Sequence, residues 1–205
     1  MTITWYGHSC FKIEDGGTSI VFDPYKPGSV PGLILPPLKA DYCVCSHYHG
    51  DHFYPEGVEL TGVDPMIAQE QTLTFHDNNN GFTRGNNKVT MIQLGGVRFL
   101  HMGDIGHALP QSRIDNLGRI DVLMVPVGGY YTIGATIAKQ MKDAMHPFLT
   151  LPMHYRGEGF GMDVLSTVDD FTRLCGDTMY FDANVLDLSK IIHPCTAVLK
   201  CPTKR

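Results

Sequence analysis

The densest group of chemically active side chains lies at positions 47–52, where the chain reads His47-Tyr48-His49-Gly50-Asp51-His52. In an extended segment His47 and His49 point to the same side, and a bend at Gly50 can return the last two side chains towards the same cavity. Neutral imidazoles and a carboxylate are ligands for zinc, and also for manganese, iron or nickel. The spacing therefore predicts a metal site.

One short segment cannot complete the coordination of two metal ions, so further ligands are expected elsewhere. Three candidates each follow a predicted strand: His76 after 71–75, Asp104 after 97–102 and His154 after 148–153. In α/β folds, sites form where several strands end in loops at one edge of a sheet. This placement predicts that the three side chains join the histidine segment.

The elements that must position these residues are mostly strands. Runs rich in β-branched and aromatic residues predict strands at 2–6, 9–14, 19–22, 42–45, 71–75, 88–94, 97–102, 122–127, 148–153, 179–181 and 197–200. Apolar spacing and end signals predict helices at 110–117, 135–145 and 166–174. The helix at 135–145 lies between two strands and indicates a βαβ crossover. With no boundary in composition, we expect one domain over residues 1–205.

Composition excludes several classes of protein. The chain has 10 histidines, and its net charge of −5 disfavours a nucleic-acid partner. It lacks an apolar run of the roughly 18 residues that span a bilayer, and its first residues do not read as an export signal. The six cysteines are interpreted as reduced thiols. We expect a cytoplasmic protein that acts on a small molecule, without a nucleic-acid or membrane partner and with an oligomeric state that the sequence does not indicate.

Six segments together resemble the metallo-β-lactamase superfamily. They are the histidine segment at 47–52, Trp5-Tyr6-Gly7-His8-Ser9-Cys10-Phe11, Phe22-Asp23-Pro24, His101-Met102-Gly103-Asp104-Ile105-Gly106-His107, Val125-Pro126-Val127-Gly128-Gly129 and Pro152-Met153-His154-Tyr155. The last five look like the short bacterial branch related to L-ascorbate-6-phosphate lactonase. The resemblance implies a four-layer αββα sandwich, with two mixed β-sheets flanked by helices and a hydrolytic metal site at one edge.

The resemblance also implies roles for individual residues. His47, His49 and His76 would bind one ion, Asp51, His52 and His154 would bind a second, and Asp104 would bridge the two. Asp23 stands where the family has a carboxylate that orients a ligand imidazole. His101 is an alternative to His76 as the third ligand of the first ion.

Three further residues are candidates for contacts around the site. His8 follows a strand and either lines the pocket or makes a structural hydrogen bond. His107 is a candidate substrate contact. Tyr131 follows a Gly-Gly bend, where its phenol either stabilises an oxyanion or packs against its neighbours.

The sequence thus predicts a metal-dependent hydrolase with two divalent ions, zinc being the preferred metal. A metal-bridging hydroxide would cleave a small-molecule ester, lactone or phosphoester, with Asp51 and Asp104 as catalytic residues. One alternative is a non-catalytic metal-binding or ligand-sensing protein on the same fold. Another is a phosphodiesterase acting on nucleic acid, which the acidic charge disfavours.

Overall fold

The structure, a computed structural model, describes residues 1–65 and 67–202. Its strands are β1 (Thr2–Trp5), β2 (Phe11–Asp15), β3 (Thr18–Phe22), β4 (Leu38–Ala40), β5 (Tyr42–Val44), β6 (Val58–Leu60), β7 (Ala68–Phe75), β8 (Asn86–Leu94), β9 (Val97–His101), β10 (Val122–Pro126), β11 (Leu149–Met153), β12 (Thr178–Tyr180), β13 (Val185–Asp187) and β14 (Cys195–Val198). Its α-helices are α1 (Gln111–Leu117), α2 (Ala135–Met145) and α3 (Asp169–Thr172). In the described residues, no helix is long and apolar enough to cross a membrane.

Two sheets pack around one apolar core. The first has the strand order β13-β1-β2-β3-β5, and the second has the order β12-β14-β11-β10-β9-β8-β7. Side chains alternate along β3: Ile20 and Phe22 enter the core shared with the second sheet, whereas Val21 faces the other side. This alternation buries both faces of the first sheet.

The second sheet confirms the predicted crossover. β10 and β11 pair in parallel, and α2 connects them over the residues that the helical spacing predicted. All residues of both strands are buried, as expected for parallel strands covered on both faces. The predicted fold class, an α/β sandwich of mixed sheets, is therefore confirmed.

The layers outside the sheets contain less helix than the sequence suggested. The outer face of the first sheet packs against the loop at 24–37 and the short parallel pair β4 and β6, which the sequence analysis missed. The helix predicted at 166–174 is wrong at both ends, since α3 spans only Asp169–Thr172. The Ser166 carbonyl accepts the Arg156 N–H at 3.1 Å and is thus not used for a first helical hydrogen bond.

Strand direction determines where the loops gather. β1 and β3 each run antiparallel to β2, and β5 is parallel to β3. In the second sheet, β7 and β9 both run antiparallel to β8, while β9, β10 and β11 are parallel. The carboxyl ends of β1, β3 and β5 thus lie at one edge of the first sheet, and those of β7, β9, β10 and β11 lie at one edge of the second. This is the condition for a site built from strand ends.

Candidate metal centre

The predicted site residues follow the carboxyl ends of strands in both sheets. His8 follows β1, Asp23 follows β3, positions 46–52 follow β5, His76 follows β7, Asp104 follows β9 and His154 follows β11. Most are buried, and His49 is exposed. The fold therefore brings together residues that lie up to 146 positions apart.

Among the described residues, three groups of potential ligand atoms form at this edge, the atoms of each group lying within 4.8 Å of one another. The first contains His47, His49 and His76, and the second contains His8, Asp51, His52 and His154. The third, His47, His52 and Asp104, shares one histidine with each of the other two. The first two groups match the predicted ligand sets except for His8, which the sequence analysis placed only near the pocket. Their metal-binding role stays a prediction.

Asp104 lies between the two groups. Its Oδ2 is 3.1 Å from Nε2 of His76 in the first group and 3.1 Å from Nε2 of His154 in the second. Its Oδ1 is 3.1 Å from Nε2 of His52. A carboxylate in this position can contact a cation in either group, as the bridging prediction requires.

Several imidazole nitrogens in the site point at no hydrogen-bond acceptor or donor. Within the described residues, the buried nitrogens without such a partner are both ring nitrogens of His8 and of His154 and Nε2 of His47 and of His52. The close approaches of Asp104 to His52 and His154, and of Asp51 to His8, lack the angles of a hydrogen bond. Unpaired buried polar atoms are costly, and a divalent cation bound by these lone pairs would remove that cost. The donor set thus fits a metal.

Asp23 holds two of these histidines in place. Its carboxylate accepts hydrogen bonds from the Ser46 N–H at 2.7 Å, the Ser46 hydroxyl at 2.6 Å and Nδ1 of His52 at 2.8 Å. Since the Ser46 proton is committed to Asp23, Nδ1 of His47 donates to the Ser46 oxygen at 2.9 Å. Both imidazoles are therefore left with a free Nε2 lone pair, the arrangement that metal-binding histidines need. The sequence analysis did not identify Ser46 as a site residue. Its position directly before His47 was the one indication that it could contact a ligand imidazole.

The third histidine of the first group is positioned from another loop. Nδ1 of His76 donates to the backbone carbonyl of Tyr131 at 3.1 Å, which directs Nε2 towards Asp104. Tyr131 also lines the cavity at the site. The structure thus gives its backbone a positioning contact that the sequence did not indicate.

His101 does not replace His76. Its Nε2 donates to the Ser9 carbonyl at 2.9 Å, and its Nδ1 accepts from the Gly103 N–H at 3.2 Å. The ring stacks on Phe22 with 5.2 Å between centroids. Because both nitrogens are occupied, His101 acts as a buried structural residue behind Asp23, 4.0 Å from its carboxylate.

His107 is not brought to the site either. Its ring contacts Ala108 and the backbone N–H of Phe75, and it does not line the cavity. The proposed substrate contact has no geometric support in this position. His8, by contrast, has its Nε2 3.3 Å from Asp51 Oδ2, and its carbonyl accepts from the His154 N–H.

Three of the site residues that follow strands have an unusual backbone conformation. His8, Asp23 and His154 have φ values of 50°, 42° and 53°, a left-handed conformation that residues other than glycine rarely adopt. Such strain concentrates at functional sites. Gly103, with φ 53°, is required for a different reason, because a Cβ there would lie 2.3 Å from Asn87 Oδ1. Asn87 in turn accepts the Asp104 N–H at 2.8 Å.

The charges of the site follow from burial and proximity. Burial opposes ionisation of Asp104, but the imidazoles of His154 and His52 outweigh it and hold its pKa well below its usual range. Burial, reinforced by His154, lowers the pKa of His8 to about 4. Burial and His52 lower the pKa of His47 to about 3. At neutral pH the site therefore offers an ionised carboxylate at Asp104 and neutral imidazoles at His8 and His47, the forms in which these groups bind a metal. At His52 and His76 burial opposes protonation, but the Asp104 carboxylate outweighs it and raises the pKa of both imidazoles, so a metal ion would have to displace a proton there.

A cavity of about 220 Å³ opens onto the two groups of ligands. It is lined by His49, Asp51, His76, Arg84, Asp104, Tyr131 and Met162. Two of the lining residues come from loops, Arg84 from the loop between β7 and β8 and Met162 from the segment between β11 and α3. Arg84 itself was missed, because sequence alone does not give the shape of its loop.

The Asp77 side chain organises that loop and should make it sensitive to acid. Burial opposes its ionisation, but four backbone N–H donors, those of residues 79, 81, 83 and 84, outweigh it and lower the pKa of Asp77 to about 2. The unfolded value is about 3.9, so the stabilisation is complete above about pH 4 and is lost as the pH falls towards 2.

We expect Asp77→Asn to reduce the loss of stability between about pH 5 and pH 2, measured by urea unfolding of wild type and variant. Asp182→Asn, at an exposed position, is the control. A variant with the wild-type pH dependence would contradict the assignment.

Comparison with known proteins identifies the family. A family model described as a β-lactamase superfamily domain matches residues 2–154. The chain belongs to this superfamily. The predicted membership of the metallo-β-lactamase superfamily is thereby confirmed.

Individual relatives of this superfamily member support the same conclusion. A UPF0173 metal-dependent hydrolase of Archaeoglobus fulgidus is 29% identical over an alignment covering 76% of this chain and 83% of the relative. A UPF0173 protein of Pyrococcus abyssi is 30% identical, with 78% and 86% covered. A solved structure from Thermotoga maritima, described as a candidate zinc-dependent hydrolase of the metallo-β-lactamase superfamily, is 31% identical with a TM-score of 0.78 and covers 98% of this chain and 99% of its own. The predicted class, a metal-dependent hydrolase, is confirmed at this level.

Proposed function

We propose that this superfamily member binds two divalent ions, zinc by preference, and hydrolyses a small-molecule ester, lactone or phosphoester in the cytoplasm. The observation that carries the proposal is the pair of ligand groups joined through the buried Asp104 carboxylate. His47, His49 and His76 would hold one ion. Asp51, His52 and His154, with His8, would hold the other. When bound, two such ions lower the pKa of water and polarise the bond that breaks.

Two side chains at the cavity would supply proton transfer and a contact to the substrate. Asp51 lines the cavity, and its Oδ2 is 3.3 Å from His8 Nε2. We assign Asp51 a second role, in which its carboxylate takes up or releases a proton during turnover. Tyr131 lines the same cavity, and we assign its phenol the role of contacting an oxyanion on the substrate.

The size of the cavity supports a small substrate. A volume of about 220 Å³ lies below the roughly 300–1,000 Å³ of typical drug-sized ligand sites. The net charge of −5 also gives no electrostatic support for a nucleic acid. Both observations favour a small molecule over a polymer.

Metal removal tests this proposal. Chelator-treated protein, reloaded with zinc or manganese, is assayed with 4-nitrophenyl butyrate, γ-butyrolactone and bis(4-nitrophenyl) phosphate. We expect chelation to lower hydrolysis of at least one substrate by more than about tenfold, and zinc to restore it, because the ions supply the activated water. Retained metal without turnover would favour the non-catalytic sensor. Turnover unaffected by chelation would contradict the proposal.

A further inference from the structure

Arg84 places a positive charge on the wall of the catalytic cavity. It lines this cavity together with Asp51, His76 and Asp104 and is partly buried. A guanidinium stays protonated at every physiological pH, so the charge is permanent. Arg84 is not among the residues that the proposed hydrolysis uses.

The loop that carries Arg84 is held rigidly next to the site. The Arg84 N–H donates to the Asp77 carboxylate at 2.8 Å, and three other N–H groups of the loop donate to the same side chain. The Gly85 carbonyl accepts the His76 N–H at 3.0 Å. The backbone of Arg84 is therefore fixed relative to a candidate metal ligand.

The side chain is also oriented. The guanidinium carbon lies 5.3 Å from the ring centroid of Tyr131 and 5.9 Å from that of Tyr130, within the range of cation–π attraction. Among the hydrogen bonds of the described residues, none is donated by the Arg84 guanidinium. An arginine held in this way loses little conformational freedom when it binds an anion.

The charge of Arg84 is not matched by a protein carboxylate. In the part of the chain that the structure describes, no carboxylate oxygen lies within 4.0 Å of its guanidinium nitrogens. The two acids in the cavity instead face histidines, Asp51 towards His8 and Asp104 towards His52, His76 and His154. A partly buried arginine without a carboxylate, at a cavity that holds a reaction centre, is suited to an oxyanion on the ligand.

We propose that Arg84 is a specificity-determining residue that binds an anionic group, a carboxylate or phosphate, of the substrate. This inference rests on the proposed function, because it assumes that the cavity holds the substrate. The substrate would then be a small anionic ester, lactone or phosphoester. The paired N–H groups of the guanidinium would fix the orientation of the substrate relative to the ligand groups around Asp104.

The first test is a binding measurement that does not depend on turnover. Zinc-loaded wild type, Arg84→Gln, Arg84→Lys and Arg173→Gln are titrated calorimetrically with inorganic phosphate and, separately, with acetate. Arg173 is an exposed control outside the cavity. We expect Arg84→Gln to weaken binding of at least one anion about tenfold or more, because a charge-assisted hydrogen bond is lost. Arg84→Lys should retain part of the affinity, and Arg173→Gln all of it. The anion with the larger loss identifies the preferred group.

The second test uses two esters that differ by a terminal carboxylate, 4-nitrophenyl butyrate and mono(4-nitrophenyl) succinate. We expect Arg84→Gln to lower kcat/KM for the succinate ester relative to the butyrate ester about tenfold, mainly through KM. The difference should shrink at high salt. Unchanged anion binding in Arg84→Gln would overturn the inference, and so would an equal loss for both esters. If wild type hydrolyses neither ester and no other substrate, the proposed function fails, while the titration still decides the role of Arg84.

Discussion

Replacing Asp104 with Asn is expected to abolish retention of at least one metal ion and to lower hydrolysis by more than about a hundredfold. Mutation of residues that only support metal ligands lowers metal affinity or activity about 10- to 100-fold, and Asp104 is itself a proposed ligand. The neutral amide keeps the shape of the side chain but removes the negative charge. That charge contacts Nε2 of His52, His76 and His154, each at 3.1 Å. Without it, the two ligand groups are no longer joined.

Metal content by mass spectrometry and turnover of the best substrate are to be measured on the same samples. Asp182→Asn, at an exposed position, removes a charge of the same kind away from the site. We expect that control to behave as wild type. If Asp104→Asn retained full metal content and activity, Asp104 would not be the bridging residue.

Asp23→Asn is expected to have the second-largest effect, on stability and metal affinity together. Asn tolerates the left-handed backbone of this position, so the change isolates the carboxylate. The amide nitrogen replaces one of the two oxygens that accept hydrogen bonds from Ser46 and His52. Because breaking a buried charged network leaves donors unpaired, we expect the free energy of unfolding to fall by about 3 kcal/mol.

Metal affinity should fall about 10- to 100-fold in the same variant, because His47 and His52 lose the contacts that fix their tautomers. Urea unfolding of the metal-free protein and competition with a zinc-binding dye measure the two effects separately. A merely structural role would lower stability while leaving zinc affinity unchanged at temperatures where the variant is folded. That result would contradict the positioning role of Asp23.

The sequence predicted many of the residues that meet at the site because the end of a strand can be recognised from a few neighbouring residues. The apolar run before His47 and the strand signals before His76 and His154 were readable locally, and strand direction brings their ends to one edge. The pairing of β10 with β11 followed from the helix between them. These predictions depended on periodicity over fewer than about ten residues, where propensity and burial agree.

Other features depend on tertiary contacts that no local pattern encodes. His8 enters the second ligand group because its left-handed backbone allows its carbonyl to meet the His154 N–H. His101 resembled a ligand in sequence, yet Ser9 and Gly103 occupy both of its nitrogens. Arg84 lines the cavity on a loop whose N–H groups donate to the Asp77 carboxylate.

The short elements were missed for a related reason. β4 and β6 contain three residues each, too few for a clear alternation, and they form because they cover the outer face of the first sheet. The first residues of the helix predicted at 166–174 instead make backbone contacts to other loops, with the Ser166 carbonyl accepting the Arg156 N–H. In these segments tertiary packing overrides local propensity.

The number of metal ions that each chain binds tests the central claim most directly. Metal-free protein is titrated with zinc, and bound zinc and hydrolysis are followed together. Two ligand groups joined by Asp104 predict two zinc ions per chain, with turnover rising as they bind and absent from the metal-free protein. A chain that binds one zinc ion or none, or that hydrolyses its substrate equally well without metal, would contradict the account.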